Sequence, residues 1–430
     1  MVIQLIRQVR VLDSVSATDR VADVRVKDGV IEAIEAALEP INDGVETVID
    51  GAGKLLLPGL VDLHSHSGEP GYESRETLSQ LLQTAAAGGI TRIGVLPSTS
   101  PPADTPGAVG DLLNRYYGIC ASDSVPMPQL LVWGALTEAA AGEHMASLAE
   151  LAGAGIIGFA DAVPLDNSVL QRRILEYLRP LDKPVMMWAC DRNLAQNIAR
   201  EGRYAYRYGL PGDPVSAEAS ALAALLEQVR VTETPVHLMQ ISTARGVELV
   251  ADAKARGLPV TASTTWMHLL QNTRHLSSYD TSLRLAPPLG NPEDQAALLE
   301  GVQSGIIDAI AINHRAYTYE EKTVGFAAAP PGAIGLEMAL SLLWHQQILN
   351  SPSPLTWVQA LSTNPTKILQ QSSPTIQVGS PAEMVLLDPT QTWRVDSQQL
   401  QTPAMNTPWF HQEIPGRVLQ VWCPSAASRN

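Results

Sequence analysis

Cysteine is scarce in this chain. Three residues in 430, Cys120, Cys190 and Cys423, are too widely separated to form a disulfide framework or a CxxC metal cluster, so a reducing cytoplasm is the expected setting. No uninterrupted apolar stretch has the length needed to cross a bilayer. The first twenty residues mix Arg7, Arg10, Asp13 and Asp19 into the apolar ones, which argues against a signal peptide. Positive charge is also in short supply: 29 Lys and Arg face 44 Asp and Glu, for a formal net charge of −15. No Lys/Arg cluster reverses that balance locally, so neither nucleic acid nor a membrane is an expected partner. Internal repeats and low-complexity segments are absent too.

What is present is a core-forming composition, 45% hydrophobic and 17% charged, in a chain long enough for a barrel plus an accessory domain. Residues 1–57 read as short alternating strands (Val2 to Leu5, Ala22 to Val26, Val30 to Ile34, Thr47 to Ile49). Residues 376–430 repeat that texture in Met384 to Leu387 and Arg417 to Trp422. The two termini are expected to build one small β-sandwich domain together, enclosing a barrel domain over 58–375. Within 58–375 a strand ending at His64 is followed by Thr91 to Leu96, Leu130 to Trp133, Gly155 to Phe159, Pro184 to Trp188, Val236 to Met239, Pro259 to Ala262 and Ile307 to Ile312. Amphipathic stretches such as Glu76 to Ala87, Ala217 to Val229, Arg245 to Ala255 and Pro292 to Ser304 lie between them. Eight βα units make an α/β chain with a (β/α)8 TIM barrel. Ser351-Pro352-Ser353-Pro354 reads as a loop, with helical pattern resuming at Trp357.

In such a barrel, chemistry sits at the C-terminal strand ends. The first end supplies His64-Ser65-His66, and the i, i+2 spacing of a strand puts both imidazoles on one face, where they could reach one metal. A catalytic zinc needs at least three protein ligands. The remaining ends (Pro97-Ser98-Thr99, Ala160-Asp161-Ala162, Ala189-Cys190-Asp191, Gln240-Ile241-Ser242, Asn313-His314-Arg315) offer no comparable pair.

Pro58-Gly59-Leu60-Val61-Asp62-Leu63-His64-Ser65-His66, with Glu69 to Glu73, Glu76-Thr77, Ser242 to Gly246, Thr261-Ala262, Tyr279 to Thr281, Pro287 to Leu289, Glu320 to Lys322 and Gly335 to Glu337 in the same order, resembles the type I dihydroorotases of the amidohydrolase superfamily. The resemblance implies an amidohydrolase-type barrel and a zinc-assisted hydrolysis or closure of the dihydroorotate ring. It also implies specific losses. Of the family's metal ligands, only the paired histidines remain, as His64 and His66. The other ligand positions fall on Ala162, Ala189, Gln240 and Asn313, the last where the family's Asp also shuttles the proton. The substrate-binding positions fall on Gly68, Ser98, Ala286 and Tyr317, and the Phe-Gly contact on Pro331-Gly332. Alanine binds no metal, the amides are weak neutral ligands, and Asn313 takes no proton from an attacking water at neutral pH. Hydroxide generation and substrate recognition are lost together.

The expectation is therefore a catalytically silent dihydroorotase homologue of pyrimidine biosynthesis, with no cofactor. The resemblance further implies a structural partnership with aspartate transcarbamoylase in a homo- or hetero-oligomer. Two alternatives stand beside it: an active cyclic amidohydrolase with a reduced zinc site at His64 and His66, and a small-ligand binder. Asp161 and Arg315 are the expected occupants of the emptied pocket, the guanidinium standing in for metal charge beside the carboxylate.

Overall fold

A computed structural model describes residues 2–41, 46–122 and 127–424; positions 1, 42–45 and 425–430 of the two terminal ranges lie outside the described residues. Eight strands, Leu60–Ser65, Ile90–Val95, Gln129–Gly134, Gly158–Ala160, Val185–Trp188, Val236–Met239, Val260–Thr265 and Ala309–Ala311, pair in chain order as one sheet. Every pairing is parallel. The barrel closes between its first and last strands just past their ends: Asn313 N donates to His64 O at 3.0 Å and His66 N to His314 O at 2.9 Å.

Inward-facing residues form a distinct cluster that includes Val61, Leu63, Leu131, Trp133, Met186, Met239, Ala309 and Ala311. The filling is tight, as barrel interiors require. Trp133 Nε1 donates to Leu63 O at 2.8 Å, and a Cβ at Gly94 would lie 2.1 Å from Leu63 O, so glycine there lets the first two strands meet beneath the indole. Helices cover the outside with apolar stripes such as Leu78, Leu81, Leu82 and Ala85.

Boundaries differ from the sequence expectation where capping decides. The helix expected from Glu76 begins at Leu78, because Thr77 and Gln80 form a capping box. Glu76 is thereby released to the barrel mouth. The fourth strand begins at Gly158, three residues later than expected, after a turn at Gly155 with φ +89°. In the Ser-Pro loop, Pro354 already opens a helix, Pro354–Val358, since its missing N–H costs nothing at a first helical position.

Both termini build one mixed sheet of seven strands. Its core holds Val9, Val24, Ile31, Leu56, Met384 and Leu386. It is a single hydrogen-bonded sheet that curls back on itself. Ile31, in its edge strand, donates to Ser380 O at 2.9 Å, and Ala382 to Gly29 O at 2.7 Å, so that edge meets the segment leading into Met384–Arg394. The sheet is pinned to the barrel by a buried ion pair, Arg92 with Glu383 at 2.7 Å, to which Thr91 Oγ1 adds a bond of 2.7 Å. Among the described residues no helix is long and apolar enough to cross a membrane.

Candidate functional site

The first strand delivers its histidines through a staple. Ser65 Oγ donates to Asp62 Oδ2 at 2.5 Å and accepts from His314 N at 3.0 Å, while Asp62 Oδ1 accepts from Ile312 N at 2.8 Å. Burial pushes the Asp62 carboxyl up to about 7 against the pull of those donors. Simple alternation does not hold at this end. Pairing register shifts between Asp62 and Ser65, and such a bulge re-aims side chains.

The two rings then meet different surroundings. His64 is fully buried, and among the described residues neither ring nitrogen has a hydrogen-bond partner. Burial lowers it to about 4, opposed only by the neighbouring Asn313 amide, so it is neutral at ordinary pH. His66 Nδ1 bonds Ser98 Oγ at 2.7 Å. Burial, together with the charge of Arg315, holds it well below the usual imidazole value.

Around them stand the positions expected to have lost ligands. Ala162 and Ala189 follow the fourth and fifth strands and offer only carbon. Gln240 and Asn313 follow the sixth and eighth with left-handed backbones, φ 62° and 54°, and each has its buried amide oxygen unpartnered. Among the described residues no three His, Cys, Asp or Glu side chains come together closely enough to hold a metal ion. A catalytic zinc, which takes three nitrogen, thiolate or carboxylate ligands, does not fit this donor set.

Asp161 does not fill the gap, nor does it meet Arg315. Its carboxylate accepts from Leu136 N at 2.9 Å and from the backbone and hydroxyl of Thr137, capping the turn after the third strand, and burial pushes it up to about 6. Arg315 instead lies over Tyr317, 5.5 Å from the ring centroid, and borders a small cleft with His66, Ser98 and Gly68.

At Gly68, one of the positions expected to bind substrate, the backbone itself leaves no room for a side chain. A Cβ at Gly68 would lie 2.3 Å from Glu76 O and 2.8 Å from Tyr72 O, leaving no room for an arginine. Tyr317 is buried and donates its hydroxyl proton to Pro331 O at 3.0 Å. Ala286, half-buried, carries no polar side-chain atom.

The other histidines are structural. His314 Nδ1 accepts from Gly335 N at 3.2 Å, so its Nε2 carries the proton and donates to Glu76 Oε2 at 3.1 Å. His237 is held by Thr261 and Ser263 hydroxyls at 2.9 and 2.8 Å, and His268 by Thr265 Oγ1 at 2.7 Å. Burial pushes the Cys190 thiol up to about 12, far from a nucleophile's range.

The sequence reading missed a second polar assembly beside the sixth strand end. Glu218, on the helix Val215–Thr232, accepts from Ser242 N (3.0 Å), Ser242 Oγ (2.5 Å), Thr243 N (3.1 Å) and Thr243 Oγ1 (2.6 Å). Arg200 links Ser242 Oγ at 2.8 Å to Asp213 at 2.9 Å. Glu218 sits in the first turn of an alanine-rich helix, where a solvated acid is the ordinary reading; its only sequence signal is the Ser242-Thr243 pair that needs an acceptor.

Comparison with known proteins agrees with this architecture. A family model described as dihydro-orotase-like matches residues 53–244. The chain is 43% identical to a probable dihydroorotase-like protein of Synechocystis sp., over 96% of this chain and 98% of that protein. It is 35% identical to a dihydroorotase of Pelotomaculum thermopropionicum, covering 96% and 95%. Among solved structures, an L-hydantoinase (dihydropyrimidinase) from Arthrobacter aurescens superposes with a TM-score of 0.82 at 23% identity, over 98% of this chain and 95% of that one; at that identity the likeness shows the amidohydrolase-type fold.

Proposed function

The chain belongs to the dihydroorotase-like family, and from that premise we propose that it is a catalytically silent, type I dihydroorotase homologue acting as a structural subunit in pyrimidine biosynthesis. The observation that carries this reading is the ring of strand ends around His64: two methyl groups at Ala162 and Ala189 and two neutral amides at Gln240 and Asn313 whose oxygens are unpartnered among the described residues. Metal-assisted ring hydrolysis needs a bound water made acidic by a cation and a group to take its proton. His64, neutral and without partners, and Asn313 supply neither. A folded barrel that has shed both functions, yet keeps its scaffold bonds, suits assembly better than turnover. By resemblance the partner is aspartate transcarbamoylase, met in a reducing cytoplasm.

The test is metal analysis of the purified full chain, combined with a dihydroorotate ring-closure assay and co-elution with aspartate transcarbamoylase. The expected result is substoichiometric metal, no turnover and co-elution at low salt. Stoichiometric zinc accompanied by turnover would overturn the silent reading. Separate elution of the two proteins at every salt concentration would overturn the partnership.

A further inference from the structure

Three strands enter the barrel through the same dipeptide. Pro184-Val185, Pro235-Val236 and Pro259-Val260 open the fifth, sixth and seventh strands, at the end of the barrel opposite His64. All six residues line one cavity of about 350 Å³, within the range of about 300–1,000 Å³ that small-molecule sites occupy. A prolyl nitrogen has no proton to donate. The carbonyls of Pro184 and Pro259 already accept from Phe159 N at 2.8 Å and from Val236 N at 3.1 Å.

The buried polar side chains of this wall are spent within the chain too. Thr234 Oγ1 donates to Leu175 O at 2.8 Å, and His237 is held between the Thr261 and Ser263 hydroxyls. Leu258 and Ile368 extend the apolar surface. The charged groups of the same lining are Arg179, Asp182, Lys183 and Lys367. Arg179 is paired with Glu233 at 2.7 Å. Lys183 Nζ meets a neutral carbonyl, Ile156 O, at 3.1 Å. Lys367, exposed on the helix Asn364–Ile368, has no partner among the described residues. Asp182 is exposed and forms no ion pair with either lysine among those residues.

The cavity therefore has two unlike halves, an apolar wall with no hydrogen bond to offer and two lysines without a carboxylate. In a chain of net charge −15 counter-charges are abundant, and other lysines use them: Lys27 pairs with Glu32 and Lys254 with Asp308. We propose that this cavity binds a small organic anion with a flat apolar body, which lies on the prolines while its carboxylate or phosphate meets Lys183 and Lys367. Covering the pyrrolidine rings and Leu258 removes apolar area from water, and an ammonium recognises either oxyanion as a point charge. The neutral, fully bonded His237 side chain adds no competing charge. The site is independent of the silent-subunit reading, since it lies at the far end of the barrel from the strand ends around His64.

The test is calorimetric titration of naphthoate, and separately of naphthyl phosphate, into the full chain at constant ionic strength. Naphthalenemethanol, which keeps the rings and lacks the charge, and acetate, which keeps the charge and lacks the rings, are the controls. Saturable one-site binding of at least one aromatic anion is expected, about tenfold or more tighter than either control, and weakened about fivefold or more in Lys367→Glu and in Lys183→Gln. Arg203→Gln, at an exposed arginine outside this lining, leaves it unchanged. Binding of naphthoate alone assigns a carboxylate ligand, and binding of naphthyl phosphate alone a phosphate. Absence of saturable binding by both anions, equal binding of either control, or undiminished binding in either lysine variant would overturn the proposal. If the variants do not fold, protection of Lys183 and Lys367 from acetic anhydride in the unaltered chain decides: slowed labelling with either aromatic anion supports the site, and unchanged labelling rejects it.

Discussion

Gln240 and Ser242 are two residues apart at one strand end and live in opposite electrostatic worlds. Ser242 and Thr243 hand four hydrogen bonds to Glu218, and Arg200 closes the assembly onto Asp213. Gln240 Oε1, Asn313 Oδ1 and both His64 nitrogens face the barrel mouth with no partner. The Glu218 network ties the helix Val215–Thr232 to the sixth strand end, with both carboxylate oxygens satisfied and, among the described residues, only Arg200 Nε left over. At the mouth, the buried amide oxygens and the His64 nitrogens stay unpaired among the described residues. Polar satisfaction is therefore far more complete around Glu218 than at the barrel mouth.

The comparison breaks most severely through Glu218. Glu218→Ala strands four donors in a buried site and is expected to cost about 3–5 kcal/mol, read as a lowered denaturant midpoint at unchanged m-value. A comparable loss from Asn313→Ala would mean that the two regions do not differ.

Acid should reach the scaffold through His237, which burial lowers from the ordinary 6.5 to about 3. A depressed base contributes stability above its unfolded pKa, and that contribution is lost as pH falls through the folded value. The loss runs from pH 6.5 down to about 3 and amounts to about 5 kcal/mol at full protonation. His237→Leu is expected to be less stable at pH 7, having stranded the Thr261 and Ser263 hydroxyls, and to lose less on acidification. Parallel stability–pH curves for the two proteins would contradict the assignment.

Gly68→Ala tests the mouth from its backbone side. The added methyl meets two carbonyl oxygens, and a cost of about 2 kcal/mol is expected, visible in thermal unfolding. A neutral result would mean that an arginine could return there. The smallest effect is predicted for Gln240→Leu. Removing an unsatisfied buried amide in favour of an apolar side chain of similar size should leave stability unchanged or raised by about 1 kcal/mol. Marked destabilisation would show that the amide holds something essential.

Much of the barrel was legible because its signal is local. Apolar runs such as Val236 to Met239 and capped helices such as Pro292–Ser304 repeat one unit, and each unit declares itself in the order of its residues. The paired histidines were legible for the same reason. The pocket occupants were not. Asp161 and Arg315 are close to the mouth in the order of strands, yet one is taken by the turn at Leu136 and Thr137 and the other by Tyr317. Neither choice has a local signature, because the competing partners come from distant loops.

The amino-acid order alone set the periodicity that makes eight strand-helix units and the identity of the atoms at each strand end. Only the folded chain decided which buried atoms found partners. Glu218 meets Ser242 and Thr243 from 24 and 25 residues away, and the cations around Tyr317 come from residues 75, 315 and 322. Hydrogen bonds and charge depend on distance in space, and barrel closure is what brings those separate segments within reach.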